Sequence, residues 1–258
     1  ERICMEPLRT ITVEAEDMLL CCTMLSNRYV CIGSRDSNIY VYTLEGFKVT
    51  KLVGHKSGIC TLTELKYNDE EYLVSGGDLG CGCVIMWQLK DWKIKKRWVS
   101  HNAAVSSIVS LNDGDKFASS SYDKTIKVYS LGTEQVLMNI PNHTNSPVTL
   151  LCCNNRGNRL VSASLDNSLN IWRIKRSQGS NQLETVSHET CLNIGDIVCQ
   201  LSSLMVRSDL IVLTTNNGRA LLVDIRTGEV RRTIDVCNSP LVELAVVESQ
   251  NRPSTIPK

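Results

Sequence analysis

Histidine, serine and aspartate, the residue types from which catalytic and metal centres are assembled, recur in this chain at a nearly fixed interval. Asp36, Asp78, Asp123 and Asp166 stand 42, 45 and 43 residues apart. Each closes a phrase of small residues: Gly33-Ser34-Arg35, Ser75-Gly76-Gly77, Ser119-Ser120-Ser121-Tyr122 and Ser162-Ala163-Ser164-Leu165. Each is followed by a strand that ends in an aromatic, at Tyr42, Trp87, Tyr129 and Trp172. The four histidines, His55, His101, His143 and His188, are predicted just before the first strand of a unit. A reacting group is needed once, whereas a group that returns at the same place in each repeat is needed by the repeat. The histidines are therefore read as structural. The chain also carries no glycine-rich phosphate loop, no His-Glu-x-x-His and no nucleophile elbow. The domain is expected to be non-enzymatic, with a catalytic domain elsewhere in a larger protein left open.

The elements that must position these residues are short strands. A period of about forty residues holds four apolar runs separated by turn residues, with no helical stretch between them, the pattern of a small antiparallel sheet. In the third unit the runs are 105–111, 116–120, 125–131 and 135–140; in the fourth, 148–153, 159–163, 168–174 and 183–187. A sheet this small cannot bury its own faces. Several can bury them against one another in a radial stack that also protects the edges, which predicts a β-propeller. The blades are predicted at about 18–51, 58–100, 104–142, 147–188 and 194–235, within one domain or domain fragment spanning 1–258. An apolar run at 8–13 reads as the outermost strand of a preceding blade, and one at 241–247 as the innermost strand of a partial further blade.

A loop histidine, a strand serine and a turn aspartate can tie the inner and outer strands of one blade, provided that each buried polar group is satisfied. The expected sets are His55 with Ser75, Asp78 and Trp87, then His101 with Ser119 and Asp123, and finally His143 with Ser162, Asp166 and Trp172.

These residues resemble the WD40, or beta-transducin, repeat. Gly54-His55 is similar to its Gly-His pair, and Trp87, Tyr129 and Trp172 stand where its tryptophan stands. The aspartate that should follow is replaced in Trp87-Gln88, Tyr129-Ser130 and Trp172-Arg173, while Val223-Asp224 keeps it without the aromatic. The likeness spans about 16–235 and is strongest in units two to four. Unit one has Asp17 near the histidine position, and unit five has Asn216-Asn217-Gly218 in place of the turn aspartate, so these two lean on their neighbours. The resemblance implies an all-β, WD40-type propeller of four-stranded antiparallel blades. About five blades are recognisable, plus a partial one, as part of a seven-bladed ring in a larger protein.

Hydrophobic residues make up 42% of the chain against 21% charged, and the formal net charge is +1, without the basic excess of a polyanion-binding protein. No apolar run is long enough to span a membrane, and the first residues lack a signal-peptide pattern. Twelve cysteines are present. Cys81-Gly82-Cys83 resembles half of a zinc site, but neighbours in Cys21-Cys22 and Cys152-Cys153 point to opposite strand faces and cannot chelate one ion. All are read as packing cysteines in a reducing compartment, the cytosol with the nucleus also open, and no metal or cofactor is expected. The Asn142-His143-Thr144 glycosylation triplet is incidental on that reading.

Function on such a frame lives in side chains grafted onto it. The residue before each turn aspartate is expected to face the top of the propeller: Arg35, Tyr122 and Leu165, with Gly77 in unit two. The loops entering the inner strands add Lys56, Asn102 and Asn145. Arginine and tyrosine commonly anchor interfaces, so these six are the candidate partner-binding residues for another protein or peptide. The alternative is a basic patch, Lys93, Lys95, Lys96 and Arg97, on an outer strand that could take nucleic acid or anionic lipid. Lysines there also guard an exposed edge. The turn from Leu79 to Cys83 is read as three residues longer than its siblings, and 175–181 as a polar loop.

Overall fold

The computed structural model describes residues 10–26, 28–111, 115–141, 145–176, 183–203 and 209–241. They form an all-β structure of five four-stranded antiparallel sheets, each a simple meander. The contacts divide the chain into two compact units, 1–149 and 150–258, with the boundary inside one strand.

Unit 1 holds three blades. The first is β1 (Leu19–Leu25), β2 (Tyr29–Ser34), β3 (Asn38–Thr43) and β4 (Lys48–Val53). The second is β5 (Ile59–Tyr67), β6 (Glu70–Gly77), β7 (Cys83–Gln88) and β8 (Lys93–Val99). The third is β9 (Val105–Ser110), β10 (Lys116–Ser121), β11 (Thr125–Ser130) and β12 (Val136–Pro141). Because side chains alternate across a strand, each blade offers one apolar face to each neighbour. Leu25, Cys31, Ile39 and Val41 of blade one pack on Ile59, Leu73, Ile85 and Trp87 of blade two. The opposite face of blade two, Tyr72, Val74, Val84 and Met86, packs on Val105, Ile108, Phe117 and Tyr129 of blade three. Burying a side chain such as Leu73 or Ile85 contributes about 2 kcal/mol.

The fourth blade is β13 (Val148–Cys153), β14 (Arg159–Ser164), β15 (Ser168–Arg176) and β16 (Leu183–Asn193). The fifth is β17 (Val198–Ser203), β18 (Leu210–Thr215), β19 (Arg219–Asp224) and β20 (Glu229–Asp235). The unit 2 core joins Val161, Leu169 and Ile171 to Val198, Ile211, Leu213 and Val223. Arg159, its side chain nearly buried, bridges Glu189 at 2.9 Å and Asp209 at 3.4 Å, tying strands that are remote in sequence.

Several sequence expectations change. The fourth blade runs to Asn193 rather than 188, because β16 is eleven residues long, and this places His188 inside β16 rather than ahead of β17. There its ring meets Trp172 edge-on at 5.3 Å and its Nε2 lies 3.2 Å from Asn170 Oδ1. β15 reaches Arg176, two residues into the segment read as a loop. The leading run is no strand where it is described, from residue 10. Instead Ile11, Val13 and Ala15 lie on Ile32, Tyr40 and Tyr42, the face of blade one turned away from blade two. The trailing run lies outside the described residues beyond Leu241.

A turn-side candidate site and its structural frame

Two register irregularities recur along the described blades and place the side chains of interest. One falls where the first strand meets the second, at Leu19/Cys21, Ile59/Thr61, Ser120/Ser121 and Val198/Gln200. The other falls immediately before the strand-end aromatic or its equivalent, at Val41/Tyr42, Met86/Trp87, Val128/Tyr129, Ile171/Trp172 and Leu222/Val223. A bulge re-aims the side chain beside it. Trp87 Nε1–H thereby donates to Ser75 Oγ at 2.8 Å, and Trp172 Nε1–H to Ser162 Oγ at 2.9 Å.

Blade three brings its predicted set together. His101 Nε2 lies 2.7 Å from Ser119 Oγ and its Nδ1 lies 2.9 Å from Asp123 Oδ2. Ser119 Oγ is also 3.0 Å from the Tyr129 hydroxyl, which pairs with Ser100 Oγ at 2.7 Å. The aspartate has a second duty in the turn. Its Oδ1 accepts the Thr125 N–H at 3.0 Å and the Thr125 hydroxyl at 2.6 Å, while Oδ2 accepts the Asn102 N–H at 3.0 Å. The same short turn recurs at Asp36 with the Asn38 N–H, 3.0 Å, and at Asp166 with the Ser168 N–H, 3.1 Å. Burial pushes the Asp123 carboxyl up, but the bonds from His101, Thr125 and Asn102 outweigh it and hold the group far below the ordinary carboxylate range.

Blade two is built differently. His55 Nε2 lies 2.7 Å from Ser75 Oγ, as in blade three, but the group at Nδ1 is the Cys83 thiol at 3.3 Å. The strand register explains the change. Ile59 pairs with Gly77, as Leu19 pairs with Ser34 and Val105 with Ser121. Asp78 therefore occupies the position of Arg35 and Tyr122, and Leu79 that of Asp123. Asp78 N–H donates to Gly58 O at 2.7 Å, as Tyr122 N–H donates to Ala104 O and Arg35 N–H to Met18 O. The turn is two residues longer than its sibling, not three, and the outward residue is Asp78 rather than Gly77. The predicted set loses Asp78, whose Oδ1 accepts its own neighbour's Leu79 N–H at 2.7 Å. Burial, with Arg97 adding to it, holds the His55 imidazole down to about 4, so it is neutral near pH 7.

Blades one and five substitute other chemistry. In blade one the Tyr40 hydroxyl donates to Asp36 Oδ2 at 2.7 Å and Glu16 N–H reaches the same oxygen at 3.0 Å, with Asp17 used locally by Met18 N–H. In blade five Thr215 Oγ1 bonds Asn217 Oδ1 at 2.5 Å, and Arg219 pairs with Asp196. His143 lies outside the described residues, so the fourth set is described only through Ser162, Asp166 and Trp172.

The candidate partner-binding residues all present themselves to solvent. Arg35, Lys56, Asn102 and Asn145 are exposed, Tyr122 is 43% exposed, and in unit 2 Leu165 is 41% exposed. Within unit 1 a cleft of about 380 Å³ is lined by Cys60, Asp78, Leu79, Ser106, Tyr122 and Thr149. Leu79, 70% exposed, adds an apolar wall that sequence reasoning missed; the lengthened turn was the signal. Arg35 abuts this rim through Gly58, whose carbonyl receives the Asp78 N–H. Two of the four basic residues on the outer strand have acidic partners. Lys93 pairs with Asp91 and Lys96 with Glu134, both at 3.4 Å, and Arg97 Nη2–H donates to Gly54 O at 2.6 Å, while Lys95 is exposed.

Comparison with known proteins agrees with this frame. The family profile described as WD domain, G-beta repeat, matches residues 92–130 and 134–173. A p21-activated protein kinase-interacting protein 1-like from Xenopus laevis is 30% identical over 107 residues, 42% of this chain and 28% of that protein. The 66 kDa stress protein of Physarum polycephalum is 27% identical over 150 residues, 57% of this chain and 24% of that protein. The chain thus spans less than a third of either relative. Among solved structures, the computationally designed Ika8 protein superposes with a TM-score of 0.69 at 23% identity, over 92% of this chain and 68% of that one, a likeness of fold.

Proposed function

We propose, from the match of residues 92–130 and 134–173 to the WD domain, G-beta repeat profile, that the chain is a non-catalytic protein-interaction scaffold whose partner seats on the turn side around Tyr122. The observation that carries this reading is the division of neighbouring residues. Asp123 and His101 face inward and hold the blade together, while Tyr122 one position away stands in an open cleft beside Asp78, Leu79 and Ser106. A tyrosine buries a large area at small entropic cost, and flanking Arg35, Lys56, Asn102 and Asn145 supply polar contacts of a rim. The cleft is of a size to take a few side chains of a peptide or loop. We place the blades in a seven-bladed ring of a larger protein. Support comes from apolar groups left open in each unit: Cys22 and Met24 on β1 in unit 1, and Val230 and Ile234 on β20 in unit 2.

The test is affinity purification with the full-length protein and with a variant carrying Arg35→Ala and Tyr122→Ala, followed by identification of what is retained. A protein captured by the parent and lost by the variant, with thermal unfolding unchanged, supports the reading. Undiminished capture by the variant overturns it. Salt separates the alternative, because a phosphate-dominated contact on Lys93, Lys95, Lys96 and Arg97 weakens steeply as ionic strength rises, whereas an interface centred on Tyr122 does not.

A further inference from the structure

The second blade departs from the third at one atom, the Nδ1 of its histidine. In blade three that nitrogen meets the Asp123 carboxylate; in blade two it meets sulfur. Cys83 begins its strand at the register position of Thr125, and Cys81 stands two residues earlier on the lengthened turn. A ring nitrogen of His55, Cys81 Sγ and Cys83 Sγ all lie within 4.8 Å of one another, with Nδ1 the nitrogen that meets Cys83.

Trp87 Nε1–H can only donate, so Ser75 Oγ accepts from it. Ser75 Oγ also lies 2.7 Å from His55 Nε2 and 3.3 Å from Ile85 O, so the ring is anchored at Nε2 while Nδ1 faces the Cys83 thiol. When a cation takes the Nδ1 lone pair, the ring proton sits on Nε2 and is donated to Ser75 Oγ, and the serine proton turns to Ile85 O. A ligating histidine is commonly oriented in this way, by a hydrogen bond from its other nitrogen.

Geometry and access also fit. A zinc ion holds thiolate sulfur at about 2.3 Å and imidazole nitrogen at about 2.0 Å, so tetrahedral angles put nitrogen and sulfur about 3.5 Å apart. The observed Nδ1 to Cys83 separation is 3.3 Å. Gly77 keeps the space beneath clear, since a Cβ there would stand 3.0 Å from Nδ1 and 3.3 Å from Cys81 Cβ. The turn is anchored by Cys81 N–H on Asp78 O at 3.3 Å and by His101 N–H on Gly82 O at 3.1 Å. His55 and Cys83 are buried whereas Cys81 is partly open, which leaves an approach from the turn side. Two thiolates neutralise a divalent cation, so the Arg97 guanidinium beside Cys83 meets no net positive charge.

We propose that His55, Cys81 and Cys83 form a binding site for a thiophilic metal ion, zinc(II), with the fourth position open toward the turn side. One nitrogen and two sulfurs favour zinc over magnesium or calcium, which take oxygen ligands. Each cysteine gives up its thiol proton to solvent as it binds, and no redox change is involved.

The experiment uses the purified full chain, reduced and metal-stripped, titrated with cobalt(II) as a spectroscopic probe and then with zinc(II). The expected result is one cobalt per chain, with a thiolate-to-cobalt charge-transfer band and tetrahedral visible bands, both removed by one equivalent of zinc. Cys81→Ser and Cys83→Thr should each weaken zinc by more than about tenfold, while Cys22→Ser leaves it unchanged. Cys83→Thr installs the residue that blade three already uses, so the fold survives, as circular dichroism would verify. A parent protein with free, titratable thiols and no charge-transfer band would overturn the proposal. So would a band that persists in the Cys81→Ser, Cys83→Thr double variant, or a chain that forms a Cys81–Cys83 disulfide and, once reduced again, takes up no cobalt.

Discussion

His101 and His55 share an anchor, a strand serine at 2.7 Å, and differ in what faces the other ring nitrogen. The carboxylate partner carries a consequence for stability against pH. Asp123 is held below its ordinary value of 3.8, so its contribution is complete above that value and drains away as pH falls below it. Asp123→Asn is expected to lower the unfolding free energy by about 1–3 kcal/mol at neutral pH, and to flatten the loss of stability below about pH 4. A variant whose acid-side slope matches the parent would show that the carboxylate is not bonded in the folded state. In blade two, Trp87→Phe removes the indole donor to Ser75 and should cost about 1 kcal/mol in denaturant unfolding. An unchanged midpoint would mean that the indole bond contributes nothing.

The turn is the element that distinguishes one blade from the next. Gly82 sits at φ 51° with a Cβ position only 2.0 Å from His101 O, so Gly82→Ala drives a methyl group into fixed backbone. Gly80, at φ 88°, faces open space. Urea unfolding should therefore show Gly82→Ala destabilised by more than about 3 kcal/mol and Gly80→Ala by about 1 kcal/mol; equal losses would contradict the packing of this turn on blade three. The four-run pattern and the Ser/Asp/aromatic spacing made the sheets legible in the sequence because strand alternation and turn residues are local properties. The register of blade two was not legible. Ser75-Gly76-Gly77-Asp78 can be matched to its siblings by aligning the aspartates, and only the pairing of Ile59 with Gly77 reveals that Asp78 is one position early. His188 was displaced for a related reason, since nothing in Leu183–Asn193 signals that a usually short outer strand continues for eleven residues. The cleft beside Tyr122 was half legible. Its tyrosine follows from the repeat, whereas the Leu79 wall depends on that shifted register.

At the scale of the molecule, neighbouring blades within each unit bury their faces against one another, and a face turned away from them takes cover from another segment. Ile11, Val13 and Ala15 serve blade one in this way. Replacing Ile11 and Val13 by aspartate should speed hydrogen exchange in β3 while leaving β11 protected; equal protection in both would show that the segment contributes no cover. The central claim is a division of duty along the repeats, in which inward groups build the frame and their immediate neighbours meet the partner. Tyr122 and Asp123 express it at adjacent positions. The most direct test is the urea unfolding free energy of Tyr122→Ala set against Asp123→Asn. The expected result is a change within about 0.5 kcal/mol for the first and a loss of about 1–3 kcal/mol for the second. A large loss for Tyr122→Ala with none for Asp123→Asn would contradict the account.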